Sequence, residues 1–163
     1  SNATNAAHGN TIVFRDGSGD FSANVITATA TTARYADLAE KYVSDKPAMA
    51  GTVMVFGGSK EVKPSQTAQD RKMAGVVSTD PAYLMNSTLD AENTVAIALQ
   101  GRVPCKVQGF VRKGDMMVTG SLPGVAQAWR EEGNPPYGSV IGKSLEDKDS
   151  RDVEVIEVAV GVR

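Results

Sequence analysis

The sequence predicts a mainly β protein: a small β-sandwich or barrel domain, preceded by an extended β-hairpin arm and a short junction helix. Three observations carry this. From Val43 onward the apolar runs are short and separated by Gly and Pro, the punctuation of a small sandwich or barrel. In the last run Ile156, Val158, Val160 and Val162 alternate with Glu157, Ala159 and Gly161, so one face is buried. Near the other end, two β-prone runs flank Asp16-Gly17-Ser18-Gly19-Asp20, a tight-turn composition. The 163 residues suit a modest domain with an appendage. The expected division is 1–3 as the remnant of an expression tag, 4–32 as the arm, 33–42 as the junction helix and 43–163 as the C-terminal β domain.

In the arm, Ile12-Val13-Phe14 and Phe21 to Ile26 form the expected hairpin strands, with Asp and Gly supplying the positive φ angles of the turn. A lone two-stranded hairpin is marginal in water, so its few apolar side chains need a further surface, which other chains could supply. The string Asn10 to Ala23, followed by Ile26-Thr27-Ala28, resembles the short shaft repeat of bacteriophage tail fibres. That resemblance implies a fibre-shaft arm and a homotrimer; a local hairpin on a monomer is the other reading. Thr27 to Ala33 is low in complexity and reads as a thin strand or linker.

At the junction, Tyr35, Leu38 and Tyr42 share the spacing of one helical face, which predicts a turn or two of helix. Asp37 and Glu40, three apart, would then be neighbours. A close carboxylate pair can serve as an acid/base device, because mutual repulsion and partial burial push one pKa upward. It can equally be a solvated face.

In the main domain the strand candidates are 51–56, 72–78, 94–99, 102–107, 115–118, 139–142 and 153–162. The adjacent Val155 and Ile156 break the alternation and predict a bulge. Gly51-Thr52-Val53-Met54-Val55 matches Gly114-Asp115-Met116-Met117-Val118, and each is followed by an insert and a run containing Gly, Met73 to Val77 and Val140 to Gly142. Two similar units about a pseudo-twofold would produce this, as would a coincidence of two turn-then-strand patterns.

Several chemistries are disfavoured. The net charge of −2 offers no field for nucleic acid or anionic lipid, and no apolar run is long enough to span a bilayer. One His and one Cys leave no Ser-His triad and no zinc cluster, so neither metal nor cofactor is expected. Cys105 reads as a buried apolar thiol in a reducing cytosol. Gly57-Gly58-Ser59-Lys60 lacks the glycine spacing and order of a phosphate loop and reads as a hairpin turn. The Gly-Phe-Val-Arg-Lys-Gly-Asp run of 109–115 echoes lipoyl-type domains without their modified lysine. Trp129 and the Asn134-Pro135-Pro136-Tyr137 loop are candidate ligand contacts or a cover over the core edge.

Tyr35 to Glu40, Gly75 to Asn86, Ala98 to Val107 and Ile141 to Asp147 together resemble the C-terminal domain of phage tail-fibre and related virion structural proteins. The end at Val162-Arg163 is expected to be a natural C-terminus. The resemblance implies a protein made in the host cytoplasm and carried on the virion. It would assist trimerisation and registration of the shaft, with other tail or baseplate proteins as partners. Ala36-Asp37-Leu38-Ala39-Glu40 is more distantly similar to the acidic signature opening the self-cleaving chaperone domains of phage neck appendages and tailspikes. That implies autoproteolysis beside Asp37 with Glu40 as the second acid, although Leu38 replaces an aromatic residue and Ala36 a common serine. A third expectation is a receptor-binding tip in which Trp129 and Tyr137 contact host-surface glycan or protein.

Overall fold

The computed structural model describes residues 3–4, 12–13, 15–21 and 36–162, and the chain divides into two compact units, Ser1–Thr32 and Ala33–Arg163. In the first, β1 (Ala3–Thr4) pairs in parallel with β2 (Ile12–Val13). The Asp16 turn forms as its composition predicts. Asp16 Oδ1 accepts the Ser18 and Asp20 N–H groups, each at 2.9 Å, and the Asp16 N–H donates to the Asp20 carbonyl at 2.8 Å. Phe14 and 22–30, with the rest of the expected hairpin, lie outside the described residues.

The second unit is all β. Its strands are β3 (Asp37–Val43), β4 (Val53–Phe56), β5 (Val62–Pro64), β6 (Met73–Val77), β7 (Tyr83–Met85), β8 (Thr94–Gln108), β9 (Met116–Thr119), β10 (Ala126–Ala128), β11 (Val140–Ser144) and β12 (Glu154–Val160). Strands β8, β12, β11, β9 and β10 pair in turn, and β10 returns to β8 through Val107↔Ala126 and Gln108↔Gln127, closing a five-stranded barrel. Closure removes the unpaired edges that an open sheet would expose. The remaining strands extend the same sheet from the first half of β8, through β6 and β4 to β5 and through β3 to β7. A parallel bridge between Ser44 and Val62 connects the end of β3 to the start of β5.

These two halves repeat one pairing scheme. β4 lies between β5 and β6 as β9 lies between β10 and β11. Met54↔Gly75 beside a register shift recurs as Met117↔Gly142 beside another. The β3–β8 ladder from Val43↔Thr94 to Ala39↔Ala98 matches, step for step, the β8–β12 ladder from Lys106↔Val155 to Arg102↔Ala159. β8 is thus the last strand of one half and the first of the other. The core forms two clusters. Met54, Val62, Val95 and Ile97 belong to one, within the first half, while Val103, Val107, Met117, Ile141 and Val158 fill the other, which also takes in Val53, Val76 and Ala98 from the first half.

Three expectations are corrected. The junction is a strand, with no helix among the described residues. A segment this short is a marginal helix by itself, and pairing with β8 along its full length outweighs a three-residue apolar spacing. Gly101 does not divide two strands, since β8 runs through it. A side chain at Gly101 would collide with the Ala36 carbonyl, so glycine is what allows β3 to start there. Pro104 sits where the Arg102 N–H bonds to Ala36 and the Lys106 N–H to Gly51, at the gap between those two partners, where a missing donor does no harm. Finally, β12 pairs with β8 in unbroken register from Glu154 to Val160, without a bulge. Val153 and Val155 face outward, and Ile156, Val158 and Val160 face the core.

Candidate functional site

The strand geometry of β3 separates the two junction carboxylates. Successive side chains point to opposite faces, so residues three apart diverge instead of stacking as on a helix. Asp37 is buried, its carbonyl accepts the Ala82 N–H at 2.9 Å, and its Oδ2 has no hydrogen-bond partner among the described residues. Glu40 lies on the face of Tyr42, whose hydroxyl donates to Glu40 Oε2 at 2.8 Å. The Tyr42 ring meets Phe56 edge-on with centroids 5.7 Å apart. Burial first, and Glu40 second, push the Tyr42 hydroxyl up to about 12. Glu40 is therefore engaged in a packed pair with Tyr42, on the opposite face of the strand from Asp37.

Trp129 follows β10 and lines a groove of about 460 Å³ at the closing seam of the barrel. Its backbone N–H donates to Met116 at 2.8 Å and its indole Nε1–H to Gly133 at 3.0 Å, which fixes the ring. The parallel β8–β10 pairing puts Gln108 beside Gln127. The Gln108 amide donates to Gln127 Oε1 at 2.8 Å and to Ser121 Oγ at 2.9 Å. Phe110 and Leu122, both exposed, supply apolar surface, and the Arg151 guanidinium lies 5.8 Å from the Phe110 ring centroid. Arg130 is occupied, donating to Phe110 at 3.1 Å and to Asp115 at 2.6 Å. Burial would raise the Asp115 carboxyl, but hydrogen bonds from Arg130 and the Arg112 amide outweigh it and hold the group below its ordinary range.

Tyr137 is 86% exposed and lines a different hollow, of about 180 Å³, with Met116, Pro136 and Val140. The two aromatic residues expected to act together thus serve separate depressions. The partners that surround Trp129 instead, Gln108, Gln127 and Arg151, carry no sequence motif. Only the register of β8 against β10 brings the two glutamines together.

The Gly57 to Lys60 turn does converge N–H groups on an anion, and that anion is its own Asp45. Asp45 accepts the Lys60 amide at 2.7 Å, with Ser59 Oγ at 3.1 Å, and the Lys60 amide above all holds the carboxyl below its ordinary range. Cys105 is fully buried in the barrel core, where desolvation pushes its thiol up to about 12, as an inert apolar thiol requires.

With this geometry in hand, the fold can be compared with known proteins. The crystal structure of the pre-mature bacteriophage phi29 gene product 12 is similar over 87% of this chain, with a TM-score of 0.57 and 12% identity. The chain shares its fold with part of that phage gene product. It spans 23% of the length of that relative. The N base of the phi29 head fiber gp8.5 is similar over 76% of this chain and 93% of its own, with a TM-score of 0.44 and 11% identity. No family model matches the chain. No curated protein matches it.

Proposed function

We propose that the protein is a structural component of a phage virion: the C-terminal part of a trimeric tail fibre, in which the β domain trimerises and sets the register of the shaft. The observation that carries this reading is the fold shared with the phi29 gene product across most of the chain. The arm supports it physically. Its described strands pair over two residues each, too little to form a stable sheet alone, so pairing with further chains would stabilise them. A domain that trimerises first raises the effective concentration of three arms, and their pairing becomes intramolecular. Other tail or baseplate proteins are the partners of such a fibre, and its place is the virion after synthesis in the host cytoplasm.

Light scattering tests this. The expected result is a mass of three 17.1-kDa chains, persisting on dilution. A monomer at every concentration overturns the trimer. Self-cleavage is not favoured by the diverging Asp37 and Glu40 side chains. An intact mass after prolonged incubation of a longer, shaft-bearing chain is the expected outcome, and release of a fragment beginning near Asp37 would reverse that reading.

A further inference from the structure

Among the described strands of the β domain, β7 alone has an open side. β3, β4, β6, β8, β9, β10, β11 and β12 each lie between two others. β5 is covered where the Asp45 N–H donates to the Val62 carbonyl at 2.9 Å beside the Ser44 bridge, and its other outward position is Pro64, which has no N–H to offer. β7 pairs only with β3. The Ala82 N–H donates to the Asp37 carbonyl at 2.9 Å, so Ala82 and Leu84 turn their backbone groups toward β3 while Tyr83 and Met85 turn theirs away. Within the strand no proline, lysine or bulge blunts this edge. Its side chains are apolar, with Tyr83 65% exposed and Leu84 and Met85 half-buried. The surroundings are acidic. From Met73 to Gly101 the sequence holds Asp80, Asp90 and Glu92 and no Lys or Arg. All three are exposed, and none forms an ion pair among the described residues. β3 adds Glu40 and the buried Asp37, whose Oδ2 has no hydrogen-bond partner among the described residues. The cation of β3, Lys41, is spent on the Ser87 and Leu89 carbonyls at 2.7 and 3.2 Å.

We infer that the open side of β7 is a docking edge for an extended cationic segment of another protein, which adds to the sheet as a further strand. Main-chain hydrogen bonds to Tyr83 and Met85 hold such a segment, and apolar side chains alternating with basic ones suit both the exposed Tyr83 ring and the carboxylates around it. Asn86, at a φ of 53°, ends the strand, so the contact spans three residues and its affinity is modest. Charge complementarity then decides which segments are taken. A second copy fits less well. Antiparallel pairing of β7 with its own copy would bring Asp80, Asp90 and Glu92 of both chains together, a like-charge encounter. A nucleic acid is repelled by the same carboxylates. The inference goes beyond the fibre role and uses residues of one chain, so it stands whether or not the chain is a trimer.

The whole protein would be titrated into fluorescein-labelled Lys-Val-Lys-Val-Lys-Val, followed by anisotropy. The controls are Glu-Val-Glu-Val-Glu-Val and the cationic sequence with every backbone nitrogen methylated, which keeps the charge and removes the donors. The cationic peptide is expected to saturate below about 1 mM, with both controls at least about tenfold weaker. Hydrogen exchange at the Tyr83 and Met85 amides should slow in the complex. Tyr83→Pro removes an outward N–H that β3 does not use, so it should weaken the peptide about tenfold while circular dichroism stays unchanged. The triple variant Asp80→Asn, Asp90→Asn and Glu92→Gln, at exposed positions, tests the charge without touching the backbone and should bring the cationic peptide close to the acidic one. The inference is overturned if the cationic peptide does not saturate, if either control binds as well, or if both variants bind like the parent. It is also overturned if Tyr83→Pro lowers the oligomeric mass in light scattering, which would show that a second copy occupies the edge.

Discussion

Tyr42 shows how a single hydrogen bond turns a surface aromatic into a fixed part of the fold. Its hydroxyl must stay protonated to donate to Glu40, and both burial and the carboxylate oppose its ionisation. Because its folded pKa is raised to about 12 from the ordinary 10, this contribution to stability is complete below pH 10 and is lost as the pH rises through about 12. Tyr42 should therefore titrate late in a phenolate absorbance curve, and Tyr42→Phe should remove that late step at a cost of about 1 kcal/mol. A curve that Tyr42→Phe leaves unchanged above about pH 11 would contradict this bond. Cys105 yields a companion expectation. With no exposed surface and its thiol pushed up to about 12, it should resist alkylation at neutral pH in the native protein and react once denaturant is added. Rapid labelling of the native chain would mean that the barrel opens far more readily than its packing implies.

Among the elements, β6 and β11 carry matched steric requirements. Each contributes a glycine opposite a fully buried methionine, Gly75 to Met54 and Gly142 to Met117. A Cβ at Gly75 would strike the Ala98 carbonyl oxygen, and one at Gly142 the Ala159 carbonyl oxygen, in the neighbouring strand in both cases. Backbone cannot rotate away as a side chain can, so Gly75→Ala and Gly142→Ala should each destabilise by about 1–3 kcal/mol in denaturant melts. Unchanged midpoints would show that the strands are looser than drawn. Elements of this kind were legible in the sequence where a strand was long enough to alternate or was bracketed by turns, as for β4, β6, β9, β11 and β12. The repeated Gly-x-x-Met run was legible for the same reason, because its methionines and glycines are fixed by local packing. What stayed hidden depends on pairing. β3 reads as helix until β8 is laid beside it. The three-residue strands β5, β7 and β10 have too few positions to alternate. In the groove, Trp129 was visible as a lone aromatic, whereas Gln108, Gln127 and Arg151 acquire meaning only when the barrel closes.

At the scale of the whole β domain, the shared strand β8 decides how the protein unfolds. Its first half completes the sheet over Met54, Val95 and Ile97, and its second half walls the barrel around Met117 and Val158. Neither core can lose β8 without exposing apolar surface in the other, and Val53, Val76 and Ala98 of the first half pack in the barrel cluster, so the two halves should melt together. Met54 and Met117 occupy corresponding positions, are both fully buried, and allow a matched test. Met54→Ala and Met117→Ala should each lower stability by about 2–5 kcal/mol, through lost apolar contact and the cavity left behind. Under native conditions, each should accelerate hydrogen exchange in β4 and β6 and in β9 and β11 by a similar factor. If Met54→Ala released only the first half, with the barrel amides keeping their protection, β8 would be a boundary between two independent units. Equal acceleration on both sides instead makes it the strand through which a load on one half reaches the other.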